Sequence, residues 1–285
     1  TAMPASLQEM LSGPMKLVMS LMGGSSKPKP GCEIKTQYCT AIPIGTALAQ
    51  SFDLTFVEQC GDIVGEEMER FGVHLWLAPA LNIHRSIRCG RNFEYYSEDP
   101  LVSGKMAAAM TRGVQAHKGC GTTIKHYAAN NKEYNRYRNN SIVSERAMRE
   151  IYLKGFGICV REAQPKAVMT SYNLLNGTHT AESRGLIMDI LRAEFGYEGI
   201  VMTDWVTPMA DTRSAHRDSQ AQYVAAAGGD LFMPGNKGDY DNLLQGIDSG
   251  AVSLEQVKIN VIDWLFGHIK TFDRSVAEYI NIYDN

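Results

Sequence analysis

Apolar runs and helical repeats alternate along most of the chain, and this alternation predicts a parallel α/β fold. Short apolar runs bounded by glycine or polar residues predict strands, whereas apolar residues spaced three or four positions apart predict the helices between them. The predicted strands lie at 41–45, 73–81, 121–126, 167–172, 199–203 and 229–233. The predicted helices lie at 53–71, 101–116, 144–162, 183–195, 217–227, 239–249 and 253–270.

The connections between the predicted strands separate two kinds of parallel sheet. No glycine-rich phosphate loop follows the first strand, which argues against a nucleotide-binding open sheet. A closed (β/α)8 barrel of the TIM type, which needs eight strands and about 250 residues, fits the repeated pattern better. The pattern supplies about six strands. We therefore predict an α/β barrel that either is incomplete at its N-terminal end or has its first strand in the poorly patterned opening of the chain.

Residues 1–38 do not share this pattern. An apolar, methionine-rich helix candidate at 10–22 is followed by glycine, serine, lysine and proline at 23–31, a composition typical of a loose linker. We therefore divide the chain into an irregular opening segment at 1–38 and a barrel catalytic domain at 39–285.

The predicted strand at 199–203 runs directly into Asp204 and Trp205. In α/β barrels the chemistry lies at the carboxyl ends of the strands, which is where Asp204 stands. A carboxylate beside an indole suits a sugar site, because the acid can attack or stabilise positive charge while the ring offers a flat apolar face. The alternative is that Asp204 only caps the following helix.

Other polar residues also fall at predicted strand ends. Lys125 and His126 end one strand, Tyr172 ends another, and Arg91 lies in the loop after a third. Lysine, histidine and arginine can donate hydrogen bonds to sugar hydroxyls, and arginine can also pair with a carboxylate. A single lysine or arginine is usually a solvated charge, but in a barrel these strand ends would meet at one face.

Composition excludes several classes of function. Hydrophobic residues make up 44% of the chain and charged residues 21%, and the net charge is −3, so neither a nucleic-acid partner nor an anionic membrane surface is indicated. The 6 cysteines occur singly and the remaining histidines show no metal-ligand spacing, so we expect no metal and no cofactor. Reduced cysteines favour a cytoplasmic protein, although a signal peptide ahead of Thr1 would make it a secreted one.

Several motifs, in this order, resemble signatures of glycoside hydrolase family 3. The stretch Gly-Arg-Asn-Phe-Glu-Tyr-Tyr-Ser-Glu-Asp-Pro at 90–100 resembles the arginine loop of that family, and Lys-His-Tyr-Ala-Ala-Asn-Asn at 125–131 is similar to its Lys-His pair. The segment at 171–177 resembles its tyrosine segment, and the stretches at 189–192 and 203–205 resemble its nucleophile region. The resemblance covers roughly residues 40–235.

This resemblance implies the barrel domain of a retaining, β-glucosidase-like glycosidase. Asp204 would be the nucleophile that forms a covalent glycosyl-enzyme with a small carbohydrate substrate. The residues that would hold the sugar hydroxyls are Arg91, Lys125 and His126. The residues that would line the pocket are Met169, Tyr172 and Trp205, and the Tyr172 hydroxyl would also bond the nucleophile.

Two features depart from the family pattern. The Asp-Gly-Pro segment that usually lies near the start of the barrel is absent, and so is the histidine of the subgroup that acts on N-acetylglucosaminides. The acid/base of glucosidase-like members usually lies on a separate domain, so we expect a companion domain or chain to carry it. For Glu94, Glu98, Glu133 and Glu182 we expect structural hydrogen bonding instead.

Two other functions remain open from the sequence. A non-catalytic sugar-binding barrel would explain the absent Asp-Gly-Pro segment and the absent acid. A Schiff-base aldolase would use Lys125, because a desolvated lysine at a barrel strand end can attack a carbonyl group.

Overall fold

A computed structural model of the chain describes residues 38–205, 216–254 and 257. The helices are α1 Gly45–Gln50, α2 Leu54–Phe71, α3 Pro100–Gln115, α4 Lys154–Ala163, α5 Ala221–Ala226 and α6 Lys237–Asp248. Shorter or π-type helical segments are Asn92–Glu94, Arg136–Arg138, Glu145–Ala147, Met148–Tyr152, Thr180–Glu182 and Gly185–Glu194. The strands are β1 Leu75–Trp76, β2 Gly121–Tyr127, β3 Asn140–Ser141, β4 Ala167–Thr170, β5 Leu174–Leu175, β6 Thr178–His179 and β7 Ile200–Met202.

The two long helices next to the sheet each begin at an aspartate that caps the first turn. The Asp53 carboxylate accepts a hydrogen bond from the Phe56 amide at 3.1 Å and starts α2, which ends at Gly72 with a left-handed φ of 67°. The Asp99 carboxylate accepts from the Leu101 amide at 2.7 Å and starts α3. Both helices therefore lie within a residue or two of their predicted ranges.

Four strands form a parallel sheet in the order β1-β2-β4-β7. Isolated parallel bridges extend the pairing, from Ala80 to Lys125 and from Met202 to Leu231. Every residue of β4 and β7 is buried, as expected for strands covered on both faces. Within the residues that the structure describes, this sheet does not close into a complete barrel. A second sheet of three short strands, β3-β5-β6, lies in the segment between β2 and the helix that precedes β7.

The predicted strand at 41–45 is wrong. Residues 41–44 belong to no strand, and α1 begins at Gly45. Pro43 cannot donate to a strand ladder, and Ile44 is exposed, so this apolar run lacks the burial that its composition indicated. The predicted strand at 229–233 is reduced to the single bridge at Leu231.

The main core lies between the sheet and the helices α2, α3 and α4. The Tyr127 ring of β2 packs edge-on against Phe156 of α4 with 5.1 Å between ring centroids, and both side chains are fully buried. Helices α2 and α3 approach closely enough for backbone contact: a Cβ added at Gly113 would lie 2.1 Å from the carbonyl oxygen of Glu58. These contacts hold β2 in place, and two candidate site residues, Lys125 and His126, lie near its end.

A buried carboxylate ties the middle of β7 to the neighbouring segment at 230–233. Asp230 Oδ2 accepts hydrogen bonds from the Val201 amide at 2.7 Å and from Arg192 Nη2 at 2.8 Å. Just past the carboxyl end of the strand, the Thr203 amide donates to the Leu231 carbonyl at 2.9 Å, and the Met233 amide donates to the Thr203 hydroxyl at 2.8 Å. The strand that leads to Asp204 is therefore tied to the segment at 230–233 at its middle residue and just past its carboxyl end.

Part of the predicted organisation falls outside the described residues. The helix candidate at 10–22, the linker at 23–31 and most of the helix predicted at 253–270 lie there, so the domain boundary at residue 38 stays a prediction. Across the described ranges, none of the helices combines the length and the apolarity needed to cross a bilayer.

Candidate active site

The structure brings the predicted site residues together at the carboxyl edge of the parallel sheet. Lys125 and His126 lie near the carboxyl end of β2, Tyr172 follows β4, and Asp204 follows β7. Because β2, β4 and β7 are neighbouring parallel strands, their ends lie side by side. Arg91 comes from the long loop after β1 and precedes the helical turn Asn92–Glu94.

Asp204 is largely buried, with 13% of its side chain exposed. Its Oδ1 accepts a hydrogen bond from the Trp205 amide at 2.7 Å, and its Oδ2 lies 3.8 Å from His126 Nε2. Burial raises the pKa of Asp204, although the Trp205 amide, the Tyr172 hydroxyl and the charges of Arg91 and Arg136 act in the opposite direction. The carboxylate is therefore poorly solvated but surrounded by groups that favour its charged form.

His126 is almost completely buried beside this carboxylate, with 1% of its side chain exposed. Burial lowers the pKa of His126 well below its usual value, and the charges of Arg91, Lys125 and Arg136 act in the same direction. The imidazole is consequently neutral near neutral pH. A neutral histidine can accept a hydrogen bond through one ring nitrogen, whereas the sequence had suggested only a donor.

Lys125 and Arg91 share the carboxylate of Glu94. Glu94 Oε1 accepts a short hydrogen bond from Arg91 Nε, and Glu94 Oε2 lies 3.7 Å from Lys125 Nζ. Burial lowers the pKa of Lys125, partly offset by the Glu94 charge. Glu94 thus organises the two cations at the site and has the structural role that the sequence predicted for it.

Glu133 likewise pairs with arginine. Its Oε2 accepts from Arg136 Nη1 at 2.9 Å, and its Oε1 lies 3.9 Å from Arg91 Nη1. Glu182 is bonded to Arg217 at 2.6 Å and to the Gln220 amide at 2.8 Å. None of these three glutamates in the described region is a free acid beside Asp204.

Met169 and Trp205 lie on the inner side of the sheet. Met169 is buried in a small apolar cluster with Ala167, Ile200 and Met202, and the partly buried Trp205 packs against this cluster. The Tyr172 hydroxyl donates to the Trp205 carbonyl at 2.7 Å, which connects the end of β4 to the residue after Asp204. The structure thus places Tyr172 and Trp205 next to the carboxylate and Met169 deeper below it.

Sequence reasoning missed Arg136. Its guanidinium lies 4.7 Å from the centroid of the Tyr172 ring and 5.0 Å from that of Tyr137, and its charge acts on both Asp204 and His126. Arg136 lies in a polar segment that showed no hydrophobic period, so no sequence signal distinguished it from a surface arginine.

Sequence reasoning also missed Asn82, which is buried and contacts His126 through both its amide atoms. A signal was available here, because Asn82 directly follows the predicted strand at 73–81. The Leu81 amide donates to the Lys125 carbonyl at 2.8 Å, so the segment carrying Asn82 runs alongside the end of β2. In the described part of the chain, no three histidine, cysteine or acidic side chains are grouped so as to hold a metal ion.

Comparison with known proteins assigns this fold and site to a family. Residues 29–263 match the model of the glycosyl hydrolase family 3 N-terminal domain, and the chain belongs to that family. This membership confirms the TIM-like barrel class, of which the described residues show the parallel strands and surrounding helices but not the closed ring.

The similar proteins are named as β-glucosidases. The chain is 51% identical over 166 residues to β-glucosidase A of Butyrivibrio fibrisolvens, covering 58% of this chain and 20% of that protein. It is 42% identical over 217 residues to β-glucosidase B of Emericella nidulans, covering 75% of this chain and 24% of that protein. The structure of β-glucosidase 3B from Thermotoga neapolitana in complex with glucose is similar with a TM-score of 0.75 and 40% identity, over 84% of this chain and 33% of that one. The chain thus spans between a fifth and a third of the length of these relatives.

Proposed function

We propose that this chain is the barrel domain of a retaining β-glycosidase that hydrolyses β-glucosides or related small glycosides through a covalent glycosyl-Asp204 intermediate. The observation that carries the proposal is the position of the Asp204 carboxylate, buried at a strand end within 3.8 Å of His126 and in the field of Arg91 and Arg136. The family and the names of the relatives support the same reaction.

In this mechanism Asp204 attacks the anomeric carbon, and the Trp205 amide and the charges of Arg91 and Arg136 stabilise its ionised form before attack. Arg91, Lys125 and His126 bind sugar hydroxyls, while Met169, Tyr172 and Trp205 line the pocket. Since burial raises the pKa of Asp204, the nucleophile becomes protonated at a higher pH than an ordinary aspartate, and the acid limb of the reaction moves upward accordingly.

A retaining glycosidase needs a second carboxyl group about 5–5.5 Å from the nucleophile. Glu94, Glu133 and Glu182 are bound to arginine, so none of them supplies it. We propose that the acid/base comes from a companion domain or chain. The much greater length of the relatives supports this partner.

The remaining predictions on surroundings are also proposals. Carbohydrate is the proposed ligand, and neither nucleic acid nor membrane is a proposed partner. The cysteines Cys39, Cys60, Cys89, Cys120 and Cys159 are free thiols in the structure. Free thiols suit a reducing compartment and support a cytoplasmic location.

Trapping the intermediate tests the assignment. The chain would be incubated with a 2-deoxy-2-fluoro-β-glucoside carrying an activated leaving group, which needs little acid assistance, and labelled peptides would be mapped by mass spectrometry. We expect one glycosyl adduct, on Asp204, and none in Asp204→Asn. Asp218→Asn is the matched control, because Asp218 borders the same small cavity as Asp204 and its pKa is also raised by burial. An adduct on another residue would overturn the assignment.

The two alternative functions predict different results in experiments on the same purified chain. A non-catalytic sugar-binding barrel would bind glucosides without forming an adduct. A Schiff-base aldolase would give a borohydride-reducible adduct on Lys125 with a ketone substrate. Burial favours the amine form of Lys125 that this chemistry needs, but Glu94 at 3.7 Å favours the ammonium form, and no relative named above is an aldolase.

A further inference from the structure

Asn82 makes three contacts with His126, all inside the protein. Its Nδ2 donates to the His126 carbonyl at 2.9 Å, and its Oδ1 accepts from the His126 amide at 2.9 Å. The same Oδ1 lies 3.2 Å from His126 Nδ1. Asn82 is 3% exposed, so solvent does not compete for these bonds.

The two backbone contacts fix the orientation of the Asn82 side chain. A backbone carbonyl can only accept and a backbone N–H can only donate, so Nδ2 must face the carbonyl and Oδ1 must face the amide. The atom that faces His126 Nδ1 is therefore an oxygen, which can only accept. It follows that Nδ1 of the imidazole carries a proton.

A neutral imidazole protonated on Nδ1 has a lone pair on Nε2. That nitrogen faces Asp204 Oδ2 at 3.8 Å, which exceeds hydrogen-bond distance. The charged groups around the ring are Arg91, Lys125 and Arg136 together with Asp204, and the three cations oppose a further proton. Two acceptors therefore face each other across the site, and a donor between them, from water or from a ligand, would satisfy both.

We propose that Asn82 is a positioning residue that holds His126 in the Nδ1-protonated tautomer, so that Nε2 accepts a hydrogen bond from a sugar hydroxyl. The second part rests on the proposed function, whereas the tautomer does not. Arg91 and Lys125 can only donate to the sugar, so His126 would add a requirement that one hydroxyl group act as a donor.

Nitrogen NMR of the uniformly 15N-histidine-labelled chain tests the tautomer without any ligand. Comparison with His126→Gln identifies the His126 signals among the 7 histidines. We expect a pyrrole-type Nδ1 and a pyridine-type Nε2 that stay unchanged from about pH 8 to about pH 5, where exposed histidines titrate. A pyrrole-type Nε2, or titration of His126 in this range, would overturn the proposal in the unmodified chain.

Two substitutions separate positioning from general stability. Asn82→Asp places a carboxylate against Nδ1, and we expect His126 to become protonated within the same pH range. Asn173→Asp is the matched control, because Asn173 is equally buried and its Nδ2 donates to the Ala128 carbonyl at 3.3 Å. The control should leave the His126 signals unchanged; if it alters them as Asn82→Asp does, the specific role of Asn82 is refuted.

A panel of methyl β-glucosides with single deoxy or deoxyfluoro replacements tests the hydroxyl donor. Fluorine cannot donate a hydrogen bond, so at one position we expect the fluoro analogue to bind as weakly as the deoxy analogue, about 2-fold to 10-fold worse than the parent. Fluoro analogues that retain affinity at every position would refute an accepting His126. If no glucoside binds, the proposed function fails while the NMR result still decides the tautomer.

Discussion

The carboxylate of Glu94 is predicted to stabilise the fold by holding two cations in the site. Glu94→Gln keeps the shape of the side chain but removes the charge that faces Lys125 Nζ at 3.7 Å and Arg91 Nε. Two unit charges 4 Å apart attract by about 4 kcal/mol at an effective dielectric constant of about 20. The side chains of Lys125 and Glu94 are 15% and 24% exposed, so solvent screens part of this energy. We expect Glu94→Gln to lower the unfolding free energy by about 1–3 kcal/mol.

Urea and thermal unfolding of the chain measure this loss. A change of this size corresponds to a fall of about 2–10 °C in Tm for a domain of this size. Glu150→Gln is the matched control, because Glu150 pairs with Arg146 at 3.1 Å on a helix surface where the two side chains are 60% and 84% exposed. That substitution should cost less than about 0.5 kcal/mol. Equal costs for the two substitutions would refute the reasoning.

Two further predictions follow from the structure. Asp204→Asn should lower the turnover of an aryl β-glucoside with an activated leaving group, which needs little acid assistance, by at least about 1000-fold. It should also stabilise the fold at neutral pH, because the native pKa of Asp204 is raised above its unfolded value and the ionised form therefore costs stability as pH rises through that window. The stability difference between this variant and the unmodified chain should shrink as pH falls below the unfolded pKa of Asp204. Unfolding experiments at a series of pH values would detect this change. A variant less stable than the unmodified chain at neutral pH would contradict the prediction. Gly113→Ala should lower the unfolding free energy by about 1–3 kcal/mol, because its Cβ would lie 2.1 Å from the Glu58 carbonyl oxygen. Gly185→Ala is the control and should be neutral or stabilising, because a Cβ there would have nothing within 4 Å. Equal unfolding midpoints for the two variants would contradict this prediction.

Much of the fold was predictable because burial leaves a periodic trace in the sequence. Helix α2 has a capping aspartate, an apolar face and a terminal glycine, and β4 and β7 are short apolar runs covered on both faces. The run at 41–45 shows the limit of this reasoning, because apolar composition alone does not tell a buried strand from an exposed connection that packs against another loop. The predicted strand ends also indicated that Lys125, His126 and Asp204 lie close together.

The rest of the site depends on contacts between distant parts of the chain. Arg136 stacks on Tyr172, which lies 36 positions later in the sequence. Asn82 forms hydrogen bonds with His126, which lies 44 positions later. Neither contact leaves a periodic signal, because each is made by a single side chain outside the long helices and strands. The protonation of His126 is likewise a property of its surroundings, since the same residue exposed on a surface would titrate near its ordinary value.

The bonds from Asp230 to the Val201 amide and to Arg192 have a consequence for redesign of this protein. They place part of the support for the segment that leads to Asp204 on an ion pair that bonds β7 at Val201, three residues before the carboxylate itself. Changes in the loops after β1 and β2 would leave this attachment of β7 intact. A library that randomises Asp230 or Arg192 would remove a bond to the Val201 amide or to Asp230, and so would loosen the strand that Asp204 follows.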